Sequence, residues 1–381
     1  MARIRKHRNK WQVLFRDPTG KERSAGVYST RVVADRKRRQ VETDIDRGEW
    51  FDPTAGRLTT VGDFAPVWIQ GRVDLKPSTK AGYEQILSAR ILPRYADVPV
   101  SALTHAELQA WVASMVDEGL SANRVRNVFN TFSGLLGSAV AHRFIRSNPA
   151  AGVSLPKAQR DEQRYLAPDE ITLVANEVKD RYRAMILTLG VAGLRIGEAA
   201  ALRRRAIDVI GQRIHVFEAV AKVQSPGTAA RWVTSTPKSG KDRHVAIPRH
   251  LALKLNEHLI GFPGDPDALV FTTSTGNRVT SAYFSNHILK PALRRAELDA
   301  RLRTHDLRHS AAAAMIRANP NPELVKRQLG HSSIQVTFDL YGHLFPDEAD
   351  RLADALDDVW YASHADQMRT KPANRVTSIT P

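Results

Sequence analysis

The chain has 381 residues, too many for one ordinary domain, and 42% of them are hydrophobic, enough to build separate cores. Lys and Arg number 56 against 40 Asp and Glu, so the formal charge is +16 and the natural partners are polyanions, nucleic acid before an anionic membrane surface. The absence of Cys excludes disulfides and thiolate metal sites, residues 1–10 are basic with no apolar signal core, and no run approaches the ~18 apolar residues of a membrane span; the expectation is a cytoplasmic, nucleoid-associated protein with no membrane partner.

Residues 1–58 hold 15 basic and 8 acidic side chains. Residues 11–15 have strand character, Asp17-Pro18-Thr19-Gly20 is a turn signal, and residues 21–28 can return as a second strand. Ser29-Thr30 offers an N-cap for a helix to about Arg47, with Val33, Val41 and Ile45 on one side. The expected unit is a small basic α/β domain. Its cluster Arg36, Lys37, Arg38 and Arg39 is read as a DNA contact beside the charged tail before Trp11, although most charge runs are solvated helix faces.

Residues 59–155 read as an all-helical domain. Val61, Phe64 and Trp68 fall at helical spacing, and Ser78-Thr79 can cap a helix carrying Tyr83, Ile86, Leu87 and Ile91. Thr104-His105-Ala106-Glu107 is a capping box ahead of Leu108, Trp111, Val112 and Met115. Ser121 opens a longer helix with Val125, Val128, Phe129, Phe132, Leu135, Leu136 and Ala139, and Asn148-Pro149 stops the series. These stripes are core. Lys80, Arg124 and Arg126 lie off them, placed to meet phosphates.

A polar linker, residues 156–163, leads to residues 164–362, which begin and end with helices around strand-like stretches at 213–220, 230–236, 242–247 and 269–273. The polar tail 363–381 is expected to be disordered. This third segment carries the groups that could make and break a phosphodiester. Gly193-Leu194-Arg195-Ile196-Gly197-Glu198 brings an arginine to a helix start, where phosphate is already favoured. Thr236-Pro237-Lys238-Ser239-Gly240-Lys241 is a hairpin tip with two lysines on one turn. Thr304 can cap a helix on which His305 and Arg308 share a face. Leu329-Gly330-His331 ends a short helix, and Tyr341 follows ten residues later.

DNA strand exchange without nucleotide or metal needs such a set. A nucleophile conserves the bond energy in a covalent intermediate, guanidinium forks neutralise the pentacoordinate phosphorus, and a general acid protonates the leaving oxygen. Each piece alone has an ordinary explanation, such as a surface arginine, an exposed turn lysine or a packed tyrosine. Their joint occurrence in this order does not. His305 and His309 stand at metal-ligand spacing, but Arg308 lies between them and the zincin glutamate is missing, so no metal is expected. No Walker-type loop appears either, and no cofactor is expected.

The order Arg, Lys, His-x-x-Arg, Leu-Gly-His, Tyr resembles the tyrosine recombinases of the phage integrase type, with mycobacteriophage integrases the nearest in likeness. The likeness spans nearly the whole chain, because residues 1–58 are similar to an arm-binding domain and 59–155 to a core-binding domain. It implies an α/β arm domain, an all-α core-binding domain and a mainly α catalytic domain. It also implies that Arg195 and Arg308 clamp the scissile phosphate and that Lys238, with Lys241 the alternative, protonates the 5′ oxygen. His305 would assist proton transfer, His331 would donate to the transition state, and Tyr341 would form a 3′-phosphotyrosine. Glu198 and His309 would support these groups from behind. The implied partners are duplex DNA at phage and bacterial attachment sites, a homotetramer passing through a Holliday junction, a host DNA-bending integration factor and an excision factor. The apolar stripe Leu352, Leu356, Val359 and Trp360 is expected to dock on a neighbouring protomer or to close the chain's own core. The rival readings are relaxation of DNA in the manner of a type IB topoisomerase and a DNA-binding regulator without catalysis.

Overall fold

The computed structural model describes residues 2–18, 20–48, 55–157, 164–237, 241–345, 356–358, 360 and 361. They form two units, residues 1–161 with 223–231 and residues 162–222 with 232–381.

In the first unit, β1 (Ala2–His7), β2 (Lys10–Arg16) and β3 (Glu22–Tyr28) form an antiparallel sheet in that order. The sequence suggested a charged tail where β1 lies. Ile4 is the one large apolar residue of that strand, and pairing to β2 from Ala2↔Phe15 to His7↔Lys10, rather than burial, makes it. The helix Arg31–Asp46 packs on this sheet, capped by Thr30, whose Oγ1 accepts from Val33 N at 3.4 Å. It buries Ala34 and Val41; Val33, expected inside, is 44% exposed because the buried face runs through its neighbour.

The helical part of this unit follows its apolar stripes. Thr60 and Asp63 form a capping box for Val61–Gly71, and Thr104 and Glu107 form another for His105–Asp117. Ser121 caps Ala122–Ala141. Val61, Phe64, Trp68, Leu108, Trp111, Phe132 and Leu135 meet in one core, with Trp68 stacked on Tyr83 at 5.6 Å. The second helix starts two residues earlier than a cap at Ser78 suggested. Lys76 is the N-cap and Pro77 takes the first helical position, where its missing N–H is not needed. This helix, Pro77–Ile86, runs on through a π turn at Leu87–Ile91 into Leu92–Tyr95. Pro93 explains the turn: its ring clashes with the carbonyl four residues back, and a wider turn relieves the clash.

In the second unit the helices Pro168–Asn176, Asp180–Val191, Arg249–Gly261 and Thr304–Ala318 share a core with a small antiparallel sheet. That sheet has the order β4 (Ile207–Asp208), β5 (Arg213–Val216), β8 (Arg243–Ala246); β6 (Ala219–Val223) and β7 (Arg231–Ser235) pair separately. Residues 269–273 are not a strand. They make only isolated bridges, Arg203↔Leu269 and Thr272↔Arg278. A second π turn, Phe284–Leu289, again precedes a proline, Pro291. Among the described residues no helix is long and apolar enough to cross a membrane.

Candidate active site

Four chain segments of the second unit meet at the C-terminal end of the helix Pro322–Leu329. Asn321 caps its start, and Gly330 ends it in the left-handed conformation at φ +68°. A helix end leaves carbonyls without amide partners, and here arginines take them. Arg243 Nε donates to Gln328 O at 3.2 Å. Arg308 donates to Leu329 O at 2.6 Å, and Arg195 to Gly330 O at 3.1 Å. Arg308 also donates to Gly193 O at 2.6 Å, across the tight turn in which Gly193 has φ +71°. A Cβ at Gly193 would stand 2.7 Å from Leu329, so this turn and the helix end need glycine to come together.

Arg195 is the N-cap residue of the short helix Ile196–Ala199, as the glycine-flanked motif suggested. Glu198 lies behind it, buried, taking Arg195 Nη1 at 2.9 Å and both Nη atoms of Arg243 at 3.0 and 2.8 Å. Burial pushes its carboxyl up, but Arg243 and Arg195 outweigh that and hold it at about 2. Burial and the charge of Arg195 push Arg308 down to about 9, still charged at neutral pH. Arg243 was missed in the sequence. Its only signal is a basic residue opening a strand after a lysine turn.

The aromatic groups form a chain of rings. His305 and His309 meet edge to face at 4.8 Å; His309 meets Tyr341 at 5.6 Å, and Tyr341 lies parallel to His331 at 6.2 Å. The phenol oxygen of Tyr341 is 2.7 Å from His309 Nδ1. The phenol has one hydrogen to place and a neutral imidazole nitrogen to accept it. Burial raises the phenol's pKa and lowers that of His309, so both partners are neutral. Burial, Arg308 and Arg195 push His331 down to about 3. Desolvation, His309 and Arg308 push His305 to about 4, although its surface remains open to solvent and softens the desolvation.

The structure thus brings together Arg195, Glu198, His305, Arg308, His309, His331 and Tyr341. Two expectations change. Thr304 is not the cap of the helix Thr304–Ala318; Arg303 is, with its backbone N–H held by Asp306 at 2.7 Å. Tyr341 stands beside the cations as expected, but it is fully buried. Lys238 lies outside the described residues, and Lys241 is exposed. No group of three His, Asp or Glu among the described residues could hold a metal ion.

The basic residues named in the first unit differ in their surroundings. Arg36 and Arg124 are exposed and Lys80 half-buried. Lys37 bonds Gln40, Arg38 pairs with Asp35 and Glu42, and Arg39 pairs with Asp35. Arg126 donates to Pro156 O at 3.0 Å, so it is already engaged within the chain.

Two family models match the chain: "Phage integrase family" over residues 164–348 and "Phage integrase, N-terminal SAM-like domain" over residues 60–116. The integrase of Mycobacterium phage D29 is 29% identical over 317 residues, covering 80% of this chain and 82% of that protein. A solved fragment of the Tn1549 transposon integrase, in complex with transposon right-end DNA, matches with a TM-score of 0.67 at 21% identity, over 78% of this chain and 100% of that one. A lambda integrase tetramer bound to a Holliday junction matches with a TM-score of 0.52 at 18% identity, over 87% and 95%. Fold and family matches together define the class, a site-specific tyrosine recombinase, an enzyme that recombines DNA. Within that class the chain belongs to the phage integrase family, with mycobacteriophage integrases among its relatives.

Proposed function

We propose that this recombinase cuts duplex DNA through Tyr341, rejoins it through a Holliday junction, and so integrates phage DNA into a bacterial chromosome. The observation that carries this reading is the gathering of Arg195, Arg308 and His331 at one helix end with the phenol of Tyr341 beside them. A phosphate placed there replaces backbone carbonyls as the partner of the guanidiniums and gains forked, charge-assisted bonds. The phenol oxygen attacks phosphorus, the bond to the 5′ oxygen breaks, and Lys238 supplies that oxygen's proton. The phenol's own proton leaves through the imidazole it already faces, His309, with His305 edge-on beyond it. In the return step a 5′ hydroxyl displaces the tyrosine, so each bond broken is re-formed. Because Tyr341 is buried in the described state, a phosphate reaches its phenol only after the site opens.

The roles proposed for the rest of the chain follow its charge and family likeness. Residues 1–58 bind arm DNA through Arg36, Lys37, Arg38 and Arg39; the ion pairs of Arg38 and Arg39 to Asp35 and Glu42 are surface pairs, which phosphates can displace. Residues 59–155 and 164–362 grip the core site, with Lys80, Arg124 and Arg126 on the helical side. A host DNA-bending factor and an excision factor complete the reading.

On a nicked duplex whose cleaved strand diffuses away, the wild type should accumulate a covalent protein–DNA adduct and Tyr341→Phe none. An adduct in that variant refutes the assignment of the nucleophile. The working assembly is proposed to be a tetramer, as in the solved lambda integrase complex on a Holliday junction. Leu356 and Trp360, both exposed, belong to the stripe proposed to join its protomers; Leu352 and Val359 lie outside the described residues. Truncation after Phe345 should therefore abolish tetramer formation on DNA, measured by light scattering; unchanged assembly removes that role.

A further inference from the structure

The helix Ile334–Tyr341 carries the nucleophile at its last position. One turn earlier it carries Thr337, fully buried, with Oγ1 2.9 Å from Nδ1 of His331. Among the described residues neither side chain has another hydrogen bond. The other ring nitrogen of His331, Nε2, is therefore the one left for a ligand, and the guanidiniums of Arg308 and Arg195 are its charged neighbours.

Two arrangements of hydrogen fit the 2.9 Å separation. If Nδ1 carried the ring hydrogen, the hydroxyl hydrogen of Thr337 would be buried with no acceptor, and Nε2 would turn a lone pair toward a phosphate anion. If Thr337 donates to Nδ1, both groups are satisfied and the ring hydrogen stands on Nε2, where it can be donated to a phosphate oxygen. A third arrangement, with both nitrogens protonated, is opposed by burial and the nearby arginines, which hold the ring neutral.

We infer that Thr337 is a positioning residue: by donating its hydroxyl hydrogen to His331 it fixes the tautomer whose Nε2–H faces the scissile phosphate. The inference rests on the reading above that a phosphate sits among Arg195, Arg308 and His331. Its consequence is a coupling. Thr337 and Tyr341 stand one turn apart on the same helix, so docking that helix delivers the nucleophile and sets the phosphate-binding histidine together. An undocked helix leaves His331 without its tautomer lock as well as leaving the site without a phenol.

The test uses the full chain and two variants, Thr337→Val, which keeps the shape and loses the hydroxyl, and Thr337→Ser, which keeps the hydroxyl. Ring-nitrogen NMR of histidine-labelled protein without DNA reads the tautomer of His331, assigned by the signal lost in His331→Gln. The wild type and Thr337→Ser should carry the hydrogen on Nε2, and Thr337→Val should show a mixture. Hydrogen on Nδ1 in the wild type, or an unchanged tautomer in Thr337→Val, overturns the inference. On a nicked attachment-site duplex, Thr337→Val should slow adduct formation about tenfold, the scale of one lost hydrogen bond, and Thr337→Ser should restore it. In a His331→Gln background Thr337→Val should add no further loss. A further loss there, or a serine variant as slow as the valine one, assigns Thr337 to packing and overturns the inference. If the wild type forms no adduct, the proposed function fails, while the tautomer measurement, which needs no DNA, still decides the bond of Thr337.

Discussion

At the scale of single residues, the problem this site solves is how to keep three guanidiniums close together with one carboxylate nearby. Arg195, Arg243 and Arg308 would repel one another in the absence of phosphate. Most of their compensation is the backbone: Gln328 O, Leu329 O, Gly330 O and Gly193 O accept from them, and among the described residues Glu198 is the carboxylate that pairs with them. Arg243 is the member that faces Glu198 most fully, and both side chains are nearly excluded from solvent, at 9% and 1% exposed. Removing one partner of such a pair leaves an uncompensated buried charge. Arg243→Met should therefore cost about 3–5 kcal/mol, read as a lower urea midpoint. Glu198→Leu combined with Arg243→Met should recover part of that loss. A single variant as stable as the wild type would show that Arg195 alone suffices for Glu198. None of this was legible locally. Arg195, His305, Arg308, His331 and Tyr341 were found because their order along the chain matches a known chemistry. Arg243 and Thr337 escaped because each draws its meaning from one distant partner, and a lone arginine or threonine has no pattern to declare it.

At the scale of elements, the sequence spoke clearly wherever the deciding interactions were local. The boxes Thr60 with Asp63 and Thr104 with Glu107 close within one turn, and the helices behind them begin where those residues stand. The Ser121 cap and the stripe from Val125 to Ala139 did the same for the longest helix. Errors fall where two local signals compete or where the partner is remote. At Lys76 to Thr79, Pro77 with its fixed φ takes the first helical position ahead of the hydroxyl residues. β1 has almost no apolar alternation, so only its ladder to β2 reveals it. Residues 269–273 are apolar enough for a strand, yet they lie in the core with only isolated bridges for pairing. The π turns at Leu87–Ile91 and Phe284–Leu289 were readable in principle, since each leads into a proline, but a helix that widens rather than breaks needs packing on both sides to hold it.

At the scale of the whole molecule, the second unit stores the histidines of the candidate site neutral among cations, and that has a cost in acid. Burial and the arginines hold His331 at about 3, against 6.5 for the ordinary imidazole. The unfolded chain therefore binds a proton at this residue before the folded chain does. Its contribution is fully present above about pH 6.5 and is lost as pH falls towards about 3, with Glu198, held at about 2, adding to the loss below about 4.5. Urea midpoints should fall over that window, and His331→Gln should flatten the upper part of the fall; an equal slope in the variant would mean that His331 is not neutral in the folded protein. The sequence by itself determined the basic character of the chain, the helical stripes of residues 59–155 and the ordered set of Arg, His and Tyr side chains, because charge, periodicity and spacing are properties of neighbours along the chain. Only the tertiary structure decided that one helix end collects three arginines, that Thr337 faces His331, and that the phenol of Tyr341 is closed in against His309. Those facts depend on which segments pack together across tens to more than a hundred residues, and no local pattern encodes the direction a side chain takes once they have met.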